Sequence, residues 1–143
     1  MGLRNLRVKT GRYLRLDSVE KGLFREAFYL HIWVWLLLRF IPFKKIPDLF
    51  ADSGVSANEN DINILEQIKQ AVRRASGVIP FKNECLVSSL AARLMLNSRR
   101  IKSKISLGVA KIDGGKFIAH AWIISDSFEI VEQMGDYETL YFF

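Results

Sequence analysis

Residues 84–132 read ECLVSSLAARLMLNSRRIKSKISLGVAKIDGGKFIAHAWIISDSFEIVE, and the change of rhythm inside this stretch decides the fold. Leu86, Leu90 and Leu94 recur at every fourth position, with the small Ala91 and Ala92 among them, which is the spacing of one helix face. Asn83 just ahead is a residue type that caps helix N-termini, so a helix is predicted from there through about Asn97. Beyond it, Ile105, Leu107 and Val109 alternate with polar or small residues, the period of a strand. Asp113-Gly114-Gly115 is a turn signal before the run Phe117 to Ile124. A second turn, Ser125-Asp126-Ser127, precedes Phe128 to about Glu132. The expected product is an α+β fold, an antiparallel meander packed on helices.

Upstream, Asp17 and Glu20 have the spacing of a capping box before a strongly apolar run, predicting a helix from near Ser18 to about Arg39. The apolar centre, Ala27 to Leu38, is bounded by Arg25, Glu26 and Arg39 and falls short of the about 20 residues that a bilayer span takes. A buried core helix is expected, with His31 packed inside it. A basic flank ahead of an apolar run has the layout of an export signal, but residues 39–45, RFIPFKK, lack a small-residue cleavage site. A cytoplasmic location is therefore expected, with peripheral membrane contact left open. Pro42 and Pro47 break the chain, and the polar residues 51–60 read as a loop. Asn60 or Asp61 caps a second helix whose Ile62, Leu65, Ile68, Val72 and Ala75 share one face, and Gly77 stands where it would end. The expected division is a basic segment with packing helices over 1–76 and the core domain over 77–143.

The chain has 143 residues, half of them apolar and a quarter charged, enough for one sizeable core and too short for a barrel enzyme with a cofactor domain. A single cysteine excludes an internal disulfide framework, and two distant histidines, His31 and His120, argue against a Cys/His zinc site. No cofactor is expected. The net charge of +6 is N-terminal: residues 1–50 hold ten Lys/Arg against four Asp/Glu, whereas residues 51–143 balance at eleven each. Arg4, Arg7, Lys9, Arg12 and Arg15 alternate with Leu3, Leu6, Val8, Tyr13, Leu14 and Leu16. This suits an anionic partner or a membrane surface, or a solvated arm; no nucleic-acid fingerprint accompanies it, and no nucleic-acid partner is expected.

Three residues carry the chemistry. Cys85 falls in the first turn of its helix, where unsatisfied N–H groups and the helix dipole favour a nucleophilic thiolate, although an isolated cysteine is otherwise an inert core filler. His120 lies mid-strand on the face of Ile118 and Trp122 and is the better base of the two histidines. A three-residue loop over Ser125–Ser127 pairs Ile124 with Phe128 and sets Glu132 opposite His120, close enough to accept the second imidazole N–H. Cys85, His120 and Glu132 then form a nucleophile, base and orienting acid of the kind used in acyl transfer. A two-residue loop would place Gln133 there instead. Asp136 and Asp126 remain substitutes for the acid, Asp126 being the better turn residue.

Residues 84–96, then ISLGV at 105–109, then AHAW at 119–122, resemble in order the Cys-Leu helix, Gly-Val strand and His-Ala-Trp strand of lasso-peptide leader peptidases. The resemblance covers 77–132 well and the upstream helices more loosely. It implies a transglutaminase-like, papain-like minimal core that cuts the leader from a ribosomally made precursor before a separate macrolactam synthetase closes the ring. It makes Cys85 the nucleophile and His120 the base. The family's acid is commonly an aspartate twelve residues after the histidine, where this chain has Glu132. The resemblance further implies a separate leader-recognition protein, since a chain this short is expected to have no room for a leader-reading domain, with the synthetase as a further partner. The family tends to have glycine after its arginine-rich helix end, where Arg100 stands here. Two other classes stay open on the same residues: a transglutaminase-like acyltransferase, and a non-catalytic peptide-binding module.

Overall fold

The computed structural model describes residues 14–55, 62–80 and 84–143. The basic stretch 1–13, with Arg4, Arg7, Lys9 and Arg12, and the predicted caps Asn60, Asp61 and Asn83 lie outside the described residues.

Helix α1 (Ser18–Phe40) starts at the predicted box: Asp17 Oδ1 accepts from Glu20 N at 2.7 Å and Glu20 Oε2 accepts from Asp17 N at 3.3 Å. These two bonds satisfy N–H groups that the first turn would otherwise leave open. Pro42 follows the helix end, and a 3-10 turn (Phe43–Lys45) leads into the short α2 (Ile46–Leu49). Helices α3 (Ile62–Ser76) and α4 (Glu84–Ser98) follow, then strands β1 (Lys104–Lys111), β2 (Phe117–Ser125), β3 (Phe128–Val131) and β4 (Glu138–Phe142). The sheet order is β3-β2-β1-β4, antiparallel throughout, so the predicted meander is present and gains a fourth strand that returns to the free edge of β1.

One core joins the layers. Leu23, Ala27 and Val34 of α1, Leu65, Ile68 and Val72 of α3, and Leu90, Met95 and Leu96 of α4 close on Ile105, Ile123 and Ile130 of the sheet. Two features fix how α4 sits. Arg93, wholly buried, places Nη1 3.3 Å from Asp52 Oδ1 and donates from Nη2 to the carbonyl of Phe143, tying α4 to the 51–55 loop and to the end of the sheet. Ile105 and Phe143 exchange backbone bonds beside it. The helix ends at Arg100, whose φ of 56° is the left-handed conformation that glycine takes at no cost; Ile101 N closes on Leu96 O at 3.0 Å. Arginine there forgoes roughly 1–2 kcal/mol.

Gly54 is forced by proximity. A Cβ there would lie 2.2 Å from the carbonyl carbon of Ile101, because residues 53–55 run against 100–102 and Val55 bridges Ile101. Among the described residues, no helix is long and apolar enough to cross a membrane.

Candidate active site

Cys85 is the second residue of α4, a free and half-buried thiol. One turn on, Ser88 Oγ meets His31 Nε2 at 3.1 Å, while His31 Nδ1 lies 2.6 Å from Ala27 O. A carbonyl only accepts, so Nδ1 carries the proton and Nε2 takes the Ser88 hydroxyl. His31 is thus packed, as expected, and both its nitrogens are used; it pins α1 to the head of α4. Burial pushes its pKa below the ordinary value, against a smaller opposing effect of the Ala27 carbonyl.

His120 pairs with Gly108 across β1 and β2. Its Nε2 donates to the main-chain carbonyl of Glu132 at 2.8 Å, which leaves Nδ1 as the unprotonated nitrogen of the neutral ring. The ring is walled by aromatics: Trp122 stacks on one side with centroids 6.1 Å apart, and Tyr137 stands 5.0 Å away. Gly108 makes room for this wall, since a Cβ there would come within 2.8 Å of the Trp122 ring and 2.7 Å of Glu138 O. Trp122 is buried beside the imidazole, which suits it to shielding the base from water.

The predicted pairing of Glu132 with His120 needs correcting. The β2–β3 loop has two residues, Asp126 and Ser127, with Ser125 paired to Phe128 and Ile124 to Glu129; a bulge between Ile123 and Ile124 then moves Val131 opposite Ile123. Glu132 therefore has no paired position opposite His120, and β3 ends before it. Its carboxylate turns to α3 and meets Lys69 Nζ at 2.7 Å. The hydrogen bond from Lys69, then its charge, hold that carboxyl below the ordinary carboxylate range. Glu132 and His120 do come together, but through the Glu132 carbonyl. Asp126 is a turn residue with φ 51°, Asp136 is exposed in the loop before β4, and Gln133 donates to Tyr137 O at 3.3 Å.

Cys85 and His120 belong to layers that pack together, α4 on β2. Among the described residues the sulfur makes no hydrogen bond to the imidazole. By the register α4 packs on the face of Ile105 and Ile123 while His120 stands on the other face of β2, so the structure does not bring the thiol and the imidazole into contact. The C-terminus of α4 adjoins the start of β1, which pairs with the end of β2, so the head of α4 points toward the start of β2. From the Arg93 tie to the row of Ile105 and Ile123, Cys85 is about 12 Å back along the helix and His120 about 10 Å back along the strand. By alternation His120 shares its face with Trp122, whereas Ala121 and Ile123 share the opposite one. No group of three or more His, Cys, Asp or Glu side chains suited to a metal ion stands among the described residues.

The sequence model of one family, described as the transglutaminase-like superfamily, matches residues 30–140, from within α1 to within β4. The chain belongs to the transglutaminase-like superfamily. The four helices and four-stranded antiparallel sheet among its described residues are the α+β architecture of a transglutaminase-like domain. Membership supports a cysteine peptidase or acyltransferase kind of activity, and Cys85, His120 and Glu132 all lie within the matched residues. Neither curated proteins nor solved structures give a match.

Tyr137 and Lys69 complete this corner of the transglutaminase-like domain and escaped the sequence reading, whereas Gly108 entered it only as part of the Gly-Val strand. Gly108 had a signal, a glycine inside an otherwise apolar strand, which marks a close approach by a neighbour. Tyr137 and Lys69 had none, because their places depend on the bulge and on the packing of α3.

Proposed function

We propose that the chain is a cysteine peptidase that removes the leader peptide from a ribosomally made lasso-peptide precursor, presented by a separate leader-recognition protein. The observation that carries this reading is the imidazole of His120, anchored through Nε2 with Nδ1 left open, in a superfamily domain whose one cysteine heads the helix packed on the same strand. The ordered motifs around Cys85, Gly108 and His120 support the narrower choice of substrate.

In this reading His120 Nδ1 takes the Cys85 proton as sulfur attacks the carbonyl carbon at the leader–core junction. The C–N bond breaks and the imidazolium returns the proton to the leaving amine. Water then gives a proton to Nδ1 and attacks the thioester; the C–S bond breaks, the carboxylate departs, and the thiol is restored. The Cys85 backbone N–H, in the first turn of α4, is the natural donor to the oxyanion, a role worth about 2.7–4 kcal/mol. The mechanism requires Sγ and Nδ1 within hydrogen-bond reach in the substrate complex, and such contacts are often longer in ligand-free sites.

The test incubates the full chain with a candidate precursor and its leader-binding partner, omits each in turn, and reads the products by mass spectrometry. Free leader and core with a new carboxylate support hydrolysis. A product joined to an amine instead assigns acyl transfer, and processing unchanged by Cys85→Ala assigns a binding module and defeats the proposal.

A further inference from the structure

Helix α1 is apolar on two faces. Leu23, Ala27, His31 and Val34 enter the core. Tyr29, Trp33, Leu36 and Phe40, spaced four, three and four residues apart, form a second stripe along about 16 Å of helix. Tyr29 is 67 % exposed, Trp33 51 % and Phe40 84 %, and Phe43 carries the stripe beyond the helix end. A helix apolar all round normally has both faces covered.

The charges around the stripe say what covers it. Arg25 stands one turn before Tyr29, Lys44 and Lys45 follow Phe40, and Arg39 lies 5.5 Å from the Trp35 ring, all four exposed. None of them forms an ion pair among the described residues, whereas the α1 carboxylates Glu20 and Glu26 are taken by Arg74 and Arg99. Asp48 is the exposed acid of the neighbouring turn. Tyr and Trp with Lys and Arg at the ends are the residues that settle at the boundary between headgroups and acyl chains.

We infer that the exposed face of α1 docks the protein on an anionic lipid bilayer, with Tyr29, Trp33, Leu36 and Phe40 at the acyl boundary and Arg25, Arg39, Lys44 and Lys45 on the headgroups. The helix lies in the interface and does not span it. This inference does not depend on the proposed peptidase activity.

Sedimentation of the full chain with vesicles tests it. The chain pellets with equal parts of phosphatidylcholine and phosphatidylglycerol, and phosphatidylcholine alone leaves it in the supernatant. The doubly substituted Tyr29→Glu, Phe40→Glu chain, its helix content checked by circular dichroism, loses at least about tenfold in binding. Lys44→Gln with Lys45→Gln, which touches no core residue, weakens binding about tenfold through the lost charge. No pelleting with anionic vesicles overturns the inference, as does undiminished binding by the folded Tyr29→Glu, Phe40→Glu chain. Self-association that this double substitution abolishes would assign the face to a second copy instead.

Discussion

The two histidines of this chain sit in regions built on opposite plans. His31 is buried between α1 and α4 with both nitrogens engaged, Nδ1 to Ala27 O and Nε2 to Ser88 Oγ. His120 sits half-buried on the sheet with Nε2 held by a carbonyl and Nδ1 uncommitted, between Trp122 and Tyr137. A ring whose two nitrogens are satisfied at an interface has its tautomer fixed by the fold. A ring held by one nitrogen is oriented and still able to exchange a proton. On this contrast in hydrogen-bond inventory rests the proposed assignment of His31 as structural and His120 as catalytic.

The largest expected effect breaks the contrast at its reactive end. His120→Ala lowers the rate of precursor cleavage by about 10²- to 10⁴-fold, the range for loss of a general acid–base group, with little change in thermal unfolding. His31→Ala does the reverse. It leaves a cavity between helices and a buried Ser88 hydroxyl without its partner, and lowers stability by about 2–4 kcal/mol in chemical denaturation while the folded fraction keeps its activity. Lost activity at unchanged stability in the His31 variant would erase the distinction.

The same contrast sets a pH dependence. Because burial depresses the His31 pKa below 6.5, the unfolded chain takes up a proton at this ring before the folded chain does. Proton uptake on unfolding favours the unfolded state, so the contribution of His31 is complete above about 6.5 and is lost as pH falls below it toward the depressed folded value. Urea midpoints measured between neutral pH and pH 5 should fall for the wild-type chain and fall less for His31→Phe.

Much of the helix layer was legible because its signals are local. The Asp17–Glu20 box, the proline at 42, and the four-residue leucine spacing after Cys85 each announce themselves within a turn or two, and α1, α3 and α4 lie where these patterns predict. The sheet was legible only where strands alternate. Strand β4 was missed because ETLYF at 138–142 is exposed along its whole length and has no buried alternation to read. Arg93 carries no signal of burial in the sequence, and only the fold brings Asp52 and the Phe143 carbonyl to it. The pairing of Glu132 was misread because the loop has two residues rather than three and a bulge at Ile123 and Ile124 shifts the register again, and a main-chain acceptor leaves no residue-type signature. Sequence could nominate Glu132, not the atom of Glu132 that meets His120.

A smaller effect sharpens the sheet side. Gly108→Ala drives a methyl into Trp122 and the Glu138 carbonyl, so it should cost about 1–3 kcal/mol of stability as overpacking does. It should also reduce cleavage by shifting the aromatic wall of His120. Thermal unfolding and the kcat of the same sample read the two separately.

The smallest predicted effect is the most discriminating. If the Glu132 carbonyl orients His120, Glu132→Gln keeps that carbonyl and removes only the charge held by Lys69. The pair is half exposed, so its loss is worth little in stability. Cleavage should stay within a few-fold of wild type, and its pH profile should keep its shape. Lys69→Met should behave alike, since it acts on the same pair from the α3 side. A carboxylate acting as the orienting acid would lose its charge in Glu132→Gln, and activity would drop by orders of magnitude while Lys69→Met stayed active. That pattern would restore the side chain to the site and place the hairpin register of the active enzyme closer to a three-residue loop.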